Sequence, residues 1–214
     1  MAKEIVKGIF ITFEGSEGCG KSTQSNLLYK YLGQKGYDVV YLREPGGTSI
    51  GEKIRKILLD PHNHITAECE MLLYMGARAQ AVEEIIKPAL LQGKIVICDR
   101  FLDSTLAYQG YGLEININLI KSIGDFVTEK IKPDLTILMD LPVEKGLKNR
   151  KPYKDRIEKR SFAYHLRVRR GYLKLAAQES RRIKIVRVAG DKAVTQERIR
   201  KLVLNVIPRY QRSG

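Results

Sequence analysis

The sequence is poor in the residues that cross-link a chain or ligate a metal, with three cysteines (Cys19, Cys69, Cys98) and three histidines among 214 residues. The cysteines are widely spaced and read as reduced thiols rather than as disulfides or a zinc site. His62 and His64 flank Asn63 in an expected helix-helix turn, and all three histidines are read as surface residues that form no ligand set. No stretch approaches ~20 uninterrupted apolar residues, which argues against a membrane span. Residues 1–7 lack the apolar centre of a secretory signal, so a soluble, cytoplasmic protein is expected. Internal repeats, low-complexity linkers and composition breaks are missing too, so one domain over 1–214 is expected. Acidic residues are the scarcer charge: 24 Asp and Glu against 38 Lys and Arg leave a net charge of +14. That balance suits nucleic acid, an anionic membrane, a small polyanionic substrate or a plain solvated surface. The basic residues are spread along the chain, densest at 167–170 and 181–184.

Glycine is concentrated where it carries chemistry. Residues 15–22 read G-S-E-G-C-G-K-S, a full phosphate-loop pattern between an apolar run at 8–13 and an amphipathic segment. A buried strand must turn there into a helix, and glycines let backbone N–H groups curl around an oxyanion at the helix's positive end. Gly15, Ser16, Glu17, Gly18, Cys19, Gly20, Lys21, Ser22 and Thr23 are therefore the expected nucleoside triphosphate contacts, with Lys21 on the outer phosphates and the Ser22 hydroxyl on Mg2+.

Strand-like apolar runs occur at 8–13, 39–42, 95–98, 135–139 and 183–188. Helical periodicity fills 21–34, 50–59, 67–91, 104–109, 116–130, 143–149, 161–179 and 195–207, with Pro88 able to break the third segment. Continuous apolar strands alternating with helices predict an α/β fold, a five-stranded parallel sheet covered on both faces. Ligands in such sheets bind beyond the carboxyl ends of the strands. Polar residues gather there: the phosphate loop, R-E-P-G-G at 43–47, Asp99 with Arg100, and Asp140. Charge dominates at 148–156, where a mobile flap or a solvated run are both open.

No N-K-x-D tetrapeptide is present, which sets aside a signalling GTPase. A small phosphotransferase fits better than a nucleic-acid-binding ATPase, and such an enzyme needs a second anion site facing the loop. An apolar strand ending in Asp99-Arg100 supplies a carboxylate near the metal and a planar fork for phosphate oxygens. The alternative is that both residues simply pair with neighbouring charges.

The chain resembles the bacterial-type thymidylate kinase family. The matching residues are F-E-G-S-E-G-C-G-K-S-T-Q at 13–24, R-E-P-G-G-T at 43–48, Y-M-G-A-R at 74–78, D-R-F-L-D-S-T-L-A-Y-Q-G at 99–110, K-P-D at 132–134 and D-R-I-E at 155–158. The resemblance implies a phosphate-loop NTPase-type three-layer α/β/α fold with a lid at about 148–158. It implies ATP-dependent, Mg2+-assisted phosphorylation of dTMP to dTDP, with a kinase of another nucleoside monophosphate as the nearest alternative. It further implies a homodimer, with no membrane or specific nucleic acid partner.

The family's roles fall on particular residues. Tyr74 and Arg78, four apart on one helical face, would stack on thymine and bond its carbonyl edge. Thr105 would read the ring edge, Tyr108 would pack near the sugar C2', and Ser104 and Gln109 would line the same site. Arg43 and Arg100 would clamp the acceptor phosphate, and Asp99 would join Ser22 in the metal shell, through water. Glu17 would accept a hydrogen bond from the 3'-hydroxyl, its alternative being an outward turn into water. Gly18 stands where some relatives carry a catalytic arginine, so the transferred charge would be met from the lid. Arg150 is the first candidate and Arg156 the second, with Lys151 and Lys154 adding field and Asn149 at a position often basic in the family. Adenine would sit by the turn at 189–192.

Overall fold

A computed structural model describes residues 8–149 and 155–207. Five strands carry the fold: β1 (Ile9–Glu14), β2 (Val39–Arg43), β3 (Ile95–Asp99), β4 (Leu135–Asp140) and β5 (Ile183–Arg187). All pair in parallel in the order β2-β3-β1-β4-β5. Every residue of β1 and β3 is buried, as the unbroken apolar runs predict for central strands of a covered sheet.

Alternate side chains of each strand go to opposite faces. Ile9, Ile11, Phe13, Ile95 and Ile97 pack with Leu28 and Leu32 of α1 (Lys21–Gln34) and with Ile199 and Val203 of the last helix, Lys192–Val206. Phe10, Val96 and Cys98 face the other way, toward Ala81 of the helix at Ala67–Ala81. Each fully buried side chain of this kind contributes about 1.5–3 kcal/mol, so both layers are held firmly to the sheet. Thr12, polar in the middle of β1, shares a 2.7 Å hydroxyl-hydroxyl hydrogen bond with Thr136 of β4. The expected three-layer α/β/α arrangement is what forms.

In chain order the remaining helices are α2 (Ser49–Leu59), α3 (Ala67–Ala81), α4 (Lys87–Leu91), α5 (Leu102–Thr105), α6 (Ile117–Val127), α7 (Val143–Lys148), α8 (Phe162–Gln178) and α9 (Lys192–Val206). Thr48, Thr66, Asn116, Ser161 and Asp191 cap α2, α3, α6, α8 and α9 by accepting backbone N–H bonds. Helix α1 is different. Its N-cap is Gly20 in the left-handed region at φ 89°, with no side-chain cap, so its first N–H groups stay available to an anion.

Three expectations need correction in detail. The helical segment predicted over 67–91 does not break at Pro88 but widens into a π-helical turn at Val82–Ile86, after which α4 restarts with Pro88 in its first turn. Proline lacks an N–H, and the wider turn accommodates the lost i→i−4 bond. The helix predicted over 104–109 becomes α5 followed by a π-helical stretch at Leu106–Gly112. His165, expected at the surface, is 1 % exposed and packs edge-on against Tyr164, because it lies on the buried face of α8 with Val168 and Tyr172.

All three cysteines are free, and burial pushes the thiols of Cys19 and Cys98 up, which keeps them protonated. Among the described residues no helix is long and apolar enough to cross a membrane.

Candidate active site

Sheet register fixes the site. Asp99 at the end of β3 lies on the same rung as Phe13 of β1 and Arg43 of β2, so the phosphate loop, the Asp99-Arg100 corner and the 43–47 turn leave the sheet side by side. Beyond them opens a cavity of about 810 Å³.

One wall is the phosphate loop: Glu17, Gly18, Gly20, Lys21, Ser22 and Thr23 line the cavity. Gly15 and Ser16 lie beneath it, where the Ser16 carbonyl accepts Lys21 Nζ at 2.9 Å and the Gly15 carbonyl accepts Arg100 Nη1 at 3.3 Å. Lys21 is thus folded back onto its own loop. Gly18 requires its left-handed φ of 70°, and a Cβ there would run into the Gly146 carbonyl of α7. Cys19, Gly18, Gly20 and Thr23 also line a neighbouring cavity of about 500 Å³ that contains Ala189, Gly190 and Lys192.

The opposite wall is made by Arg43, Tyr74, Arg100, Ser104, Thr105, Tyr108 and Gln109, all of which line the 810 Å³ cavity. Arg100 is its most constrained member. Its backbone is left-handed at φ 75°, a conformation costing about 1–2 kcal/mol for a residue with a Cβ, and its N–H is tied to the Phe13 carbonyl at 2.9 Å. The guanidinium donates to Glu17 Oε1 at 2.6 Å, to Tyr108 Oη at 3.1 Å and to Ser104 Oγ at 3.2 Å, and lies 4.9 Å from the Tyr108 ring centre. Burial alone would weaken its charge, but the Glu17 carboxylate and the flanking Tyr108 and Tyr172 hold its pKa well above the usual arginine value. Glu17 responds in kind. Burial opposes its ionisation, yet Arg100, Lys21 and the 2.7 Å bond from Tyr108 Oη bring its carboxyl down to about 2. Glu17 therefore points inward, and the outward alternative does not hold.

Two expected residues lie elsewhere. Arg78 is 1 % exposed and sits behind the wall, its fork taken up by Glu44 Oε2 at 2.8 Å, Thr105 Oγ1 at 3.0 Å and the Phe101 carbonyl at 3.0 Å. A buried guanidinium needs a counter-charge, and Glu44 just after β2 provides it, so Arg78 reaches the cavity through Glu44 and Thr105, both of which line it. Arg156 does not line the cavity either. It bonds Glu70 Oε2 at 2.6 Å and the Leu58 carbonyl at 2.9 Å, while its neighbours Asp155, Ile157 and Glu158 line the site. Arg150, Lys151 and Lys154 lie outside the described residues. Asn149 donates to the Gly18 carbonyl at 3.3 Å, so the start of the expected lid rests on the phosphate loop.

Asp99 accepts a hydrogen bond from the Ser22 hydroxyl through Oδ2, and its Oδ1 is buried with no hydrogen-bond partner. An orphaned carboxylate oxygen beside a hydroxyl at a helix start is a hard-oxygen donor set that suits Mg2+. Among the described residues no group of three or more His, Cys, Asp or Glu could cage a metal, so most of its ligands would come from phosphate and water.

Arg55 and Glu14 are among the groups that sequence reasoning missed. Arg55 of α2 lines the cavity and donates to the Pro45 carbonyl at 2.9 Å, yet in the sequence it resembles any solvated helix charge. Glu14, 1 % exposed, accepts from Phe101 N at 2.7 Å, Ser104 Oγ at 2.5 Å and Tyr172 Oη at 2.8 Å, tying β1 to the Arg100 corner. Its place inside the matching block at 13–24 was the available signal.

The fold that carries this cavity is matched by known proteins. A family model described as thymidylate kinase matches residues 13–199. The chain belongs to the thymidylate kinase family. A thymidylate kinase of Halothermothrix orenii is 51 % identical over 176 residues, covering 80 % of this chain and 85 % of that protein. One from an Exiguobacterium species is 47 % identical over 214 residues, covering 98 % of this chain and 99 % of its own. The crystal structure of thymidylate kinase from Ehrlichia chaffeensis superposes with a TM-score of 0.78 at 35 % identity, covering 92 % of this chain and 99 % of that one. Family membership includes the phosphate-loop NTPase fold, to which the five-stranded parallel sheet conforms.

Proposed function

We infer that this protein transfers the γ-phosphoryl group of ATP to the 5'-phosphate of dTMP, forming dTDP and ADP in deoxynucleotide synthesis. The observation that carries the reading is the single cavity in which Lys21 and Ser22 face Arg100, Tyr108 and Tyr74. A donor phosphate cradle and an acceptor site opening into one space can hold two nucleotides with reacting oxygens in line.

In this reading ATP lies with its phosphates on the loop amides and its base in the 500 Å³ cavity by residues 189–192. Lys21 leaves the Ser16 carbonyl for the outer phosphate oxygens. Ser22 and Asp99 would hold Mg2+, which neutralises phosphate charge when bound. Arg43 and Arg100 grip the acceptor phosphate, Tyr74 stacks on thymine, and Thr105, backed by Arg78, meets the base edge with Ser104 and Gln109 beside it. Glu17 takes the sugar 3'-hydroxyl, and the Tyr108 ring fills the space a 2'-hydroxyl would need. Catalysis then rests on positioning and on charge stabilisation of the transferring group, with the lid over 148–158 and its Arg150 meeting that charge.

We further read the chain as one domain, acting in the cytoplasm as a homodimer. Leu119 and Phe126, seven residues apart on one face of α6, are 50 % and 83 % exposed, and Leu72 of the adjacent α3 is 54 % exposed. An exposed apolar face of this kind suits a second copy of the chain. Sedimentation of the purified protein checks it, a monomer at micromolar concentration refuting the dimer.

The deciding experiment for the activity is a coupled ADP-release assay with dTMP, dUMP, UMP, CMP, AMP and GMP as acceptors. Turnover greatest with dTMP is expected, and a preference for any ribonucleotide refutes the reading.

A further inference from the structure

Behind the acceptor wall lies a buried carboxylate, Glu70 of α3, which is 0 % exposed. Its Oε1 accepts Gln109 Nε2 at 2.8 Å. Its Oε2 accepts both Arg156 Nη1 and Arg160 Nη2, each at 2.6 Å. Two chain segments far from Glu70 in sequence, one at Gln109 and one at Arg156 and Arg160, therefore end on its side chain. Such a group is costly to bury and is retained only with full compensation, which here takes two guanidiniums and an amide.

The partners matter because each leads to the cavity. Gln109 lines it directly, and Tyr74, also lining it, is one helical turn after Glu70. Arg156 donates Nε to the Leu58 carbonyl at 2.9 Å and its backbone N–H to the Leu59 carbonyl at 3.2 Å. It thus closes the last turn of α2, whose unpaired carbonyls and negative dipole end favour a cation. Arg55, which lines the cavity, sits one turn earlier on that helix. Arg160 lies over the Tyr164 ring at 4.6 Å, and Tyr164 Oη donates to the Tyr108 carbonyl at 3.3 Å.

We propose that Glu70 is the positioning residue of the acceptor pocket, holding Gln109 directly and the Arg55-bearing end of α2 through Arg156. Arg156 then belongs to the scaffold behind the pocket wall and is not the charge that meets the transferred phosphoryl group. The proposal rests on reading this cavity as the dTMP site. Its chemistry differs from that of a lid arginine in a measurable way. Loss of a wall anchor loosens acceptor binding, whereas loss of a transition-state charge lowers turnover.

The test is a double-mutant cycle on the full chain, with Glu70→Gln, Arg156→Gln and the pair, reading kcat and the KM values of dTMP and ATP separately. Glutamine at 70 keeps an acceptor for Gln109 but removes the counter-charge of both arginines. Each single variant is expected to raise the dTMP KM about 10-fold or more, with kcat and the ATP KM changed by less than about 3-fold. The pair is expected to cost no more than the worse single, because the two residues act as one unit. Arg156→Lys, which keeps the charge on Glu70, is expected to recover part of the dTMP KM. A fall of about 1,000-fold in kcat for Arg156→Gln at unchanged dTMP KM overturns the proposal, as do additive losses in the pair. Should Glu70→Gln fail to fold, the Arg156→Gln and Arg156→Lys comparison decides between the same two outcomes. Absent turnover of dTMP by the unsubstituted protein would instead sink the functional reading beneath it.

Discussion

Arg100 and Glu17 form a 2.6 Å ion pair that joins the two walls of the cavity, one residue coming from the phosphate loop and the other from the end of β3. The pair solves a local problem on each side. In the proposed reading a carboxylate within a triphosphate cradle would be repelled by the ligand, and a guanidinium in a left-handed corner is strained, but together they hold each other in place. The fork of Arg100 serves Glu17, Tyr108, Ser104 and the Gly15 carbonyl at once, which a lysine ammonium cannot do. Arg100→Lys is therefore expected to lower kcat/KM for dTMP by about 100-fold or more, read by steady-state kinetics. A variant within a few-fold of the unsubstituted protein would remove Arg100 from the acceptor site.

Tyr108 links that pair to the hydrophobic core. Its hydroxyl donates to Glu17 at 2.7 Å, while its ring meets Tyr164 and Tyr172 edge-on at 6.4 Å and 6.1 Å. In the proposed acceptor site, a ring held on both sides would not yield to an added 2'-hydroxyl. Tyr108→Ala is expected to narrow the preference for dTMP over its ribonucleotide counterpart by about 10-fold or more, and Tyr108→Phe to preserve it. Competition assays with the two acceptors give the ratio, and an unchanged ratio in the alanine variant takes the residue out of the sugar site.

How far the sequence alone reached depended on the range of the interactions involved. The strands were legible to within a residue or two because central parallel strands must be apolar throughout, and the phosphate loop because its glycines serve the local backbone. The cavity-lining set from Arg43 to Gln109 was legible through the family's motifs. Glu44 and Glu70 were not, since each acquires its meaning from a partner distant in sequence, as when Glu70 meets Gln109 and Arg156, and Arg55 was not, since only the placement of α2 beside the cavity sets it apart from a solvated helix charge. The π-helical stretch at Leu106–Gly112 was also hidden, because it differs from an α-helix only in hydrogen-bond register. Of the two readings of Asp99-Arg100, pairing with a neighbouring charge holds for Arg100, which meets Glu17, whereas Asp99 meets the neutral Ser22 hydroxyl, and both line the cavity.

Gly18 offers a steric prediction. Its φ of 70° and the Gly146 carbonyl pressed against it leave no room for a side chain. Gly18→Ala is expected to destabilise the protein by about 2–3 kcal/mol, read by urea unfolding. Gly18→Arg is expected to lose turnover rather than gain it, since the loop must first be displaced from α7. Normal stability in the alanine variant would show that α7 moves aside freely.

Glu14 gives the molecule a pH dependence of unusual sign for a carboxylate. Burial first, and the nearby Asp103 second, raise its carboxyl from 4.5 to about 7, against the opposing pull of Ser104, Arg100 and the Phe101 N–H. Between those values the native protein keeps a proton on Glu14 that the unfolded chain has already released. Unfolding there releases a proton, so this group's contribution to stability falls as pH rises from 4.5 to about 7 and is level above it. The whole change is on the order of 3 kcal/mol. Glu14→Gln removes the titration while keeping an oxygen for Phe101 N–H and Ser104. Thermal unfolding of both proteins at several pH values is expected to show the unsubstituted protein losing ground to the variant across this window. Parallel profiles would mean that Glu14 is ionised throughout, with its four hydrogen-bond donors outweighing burial.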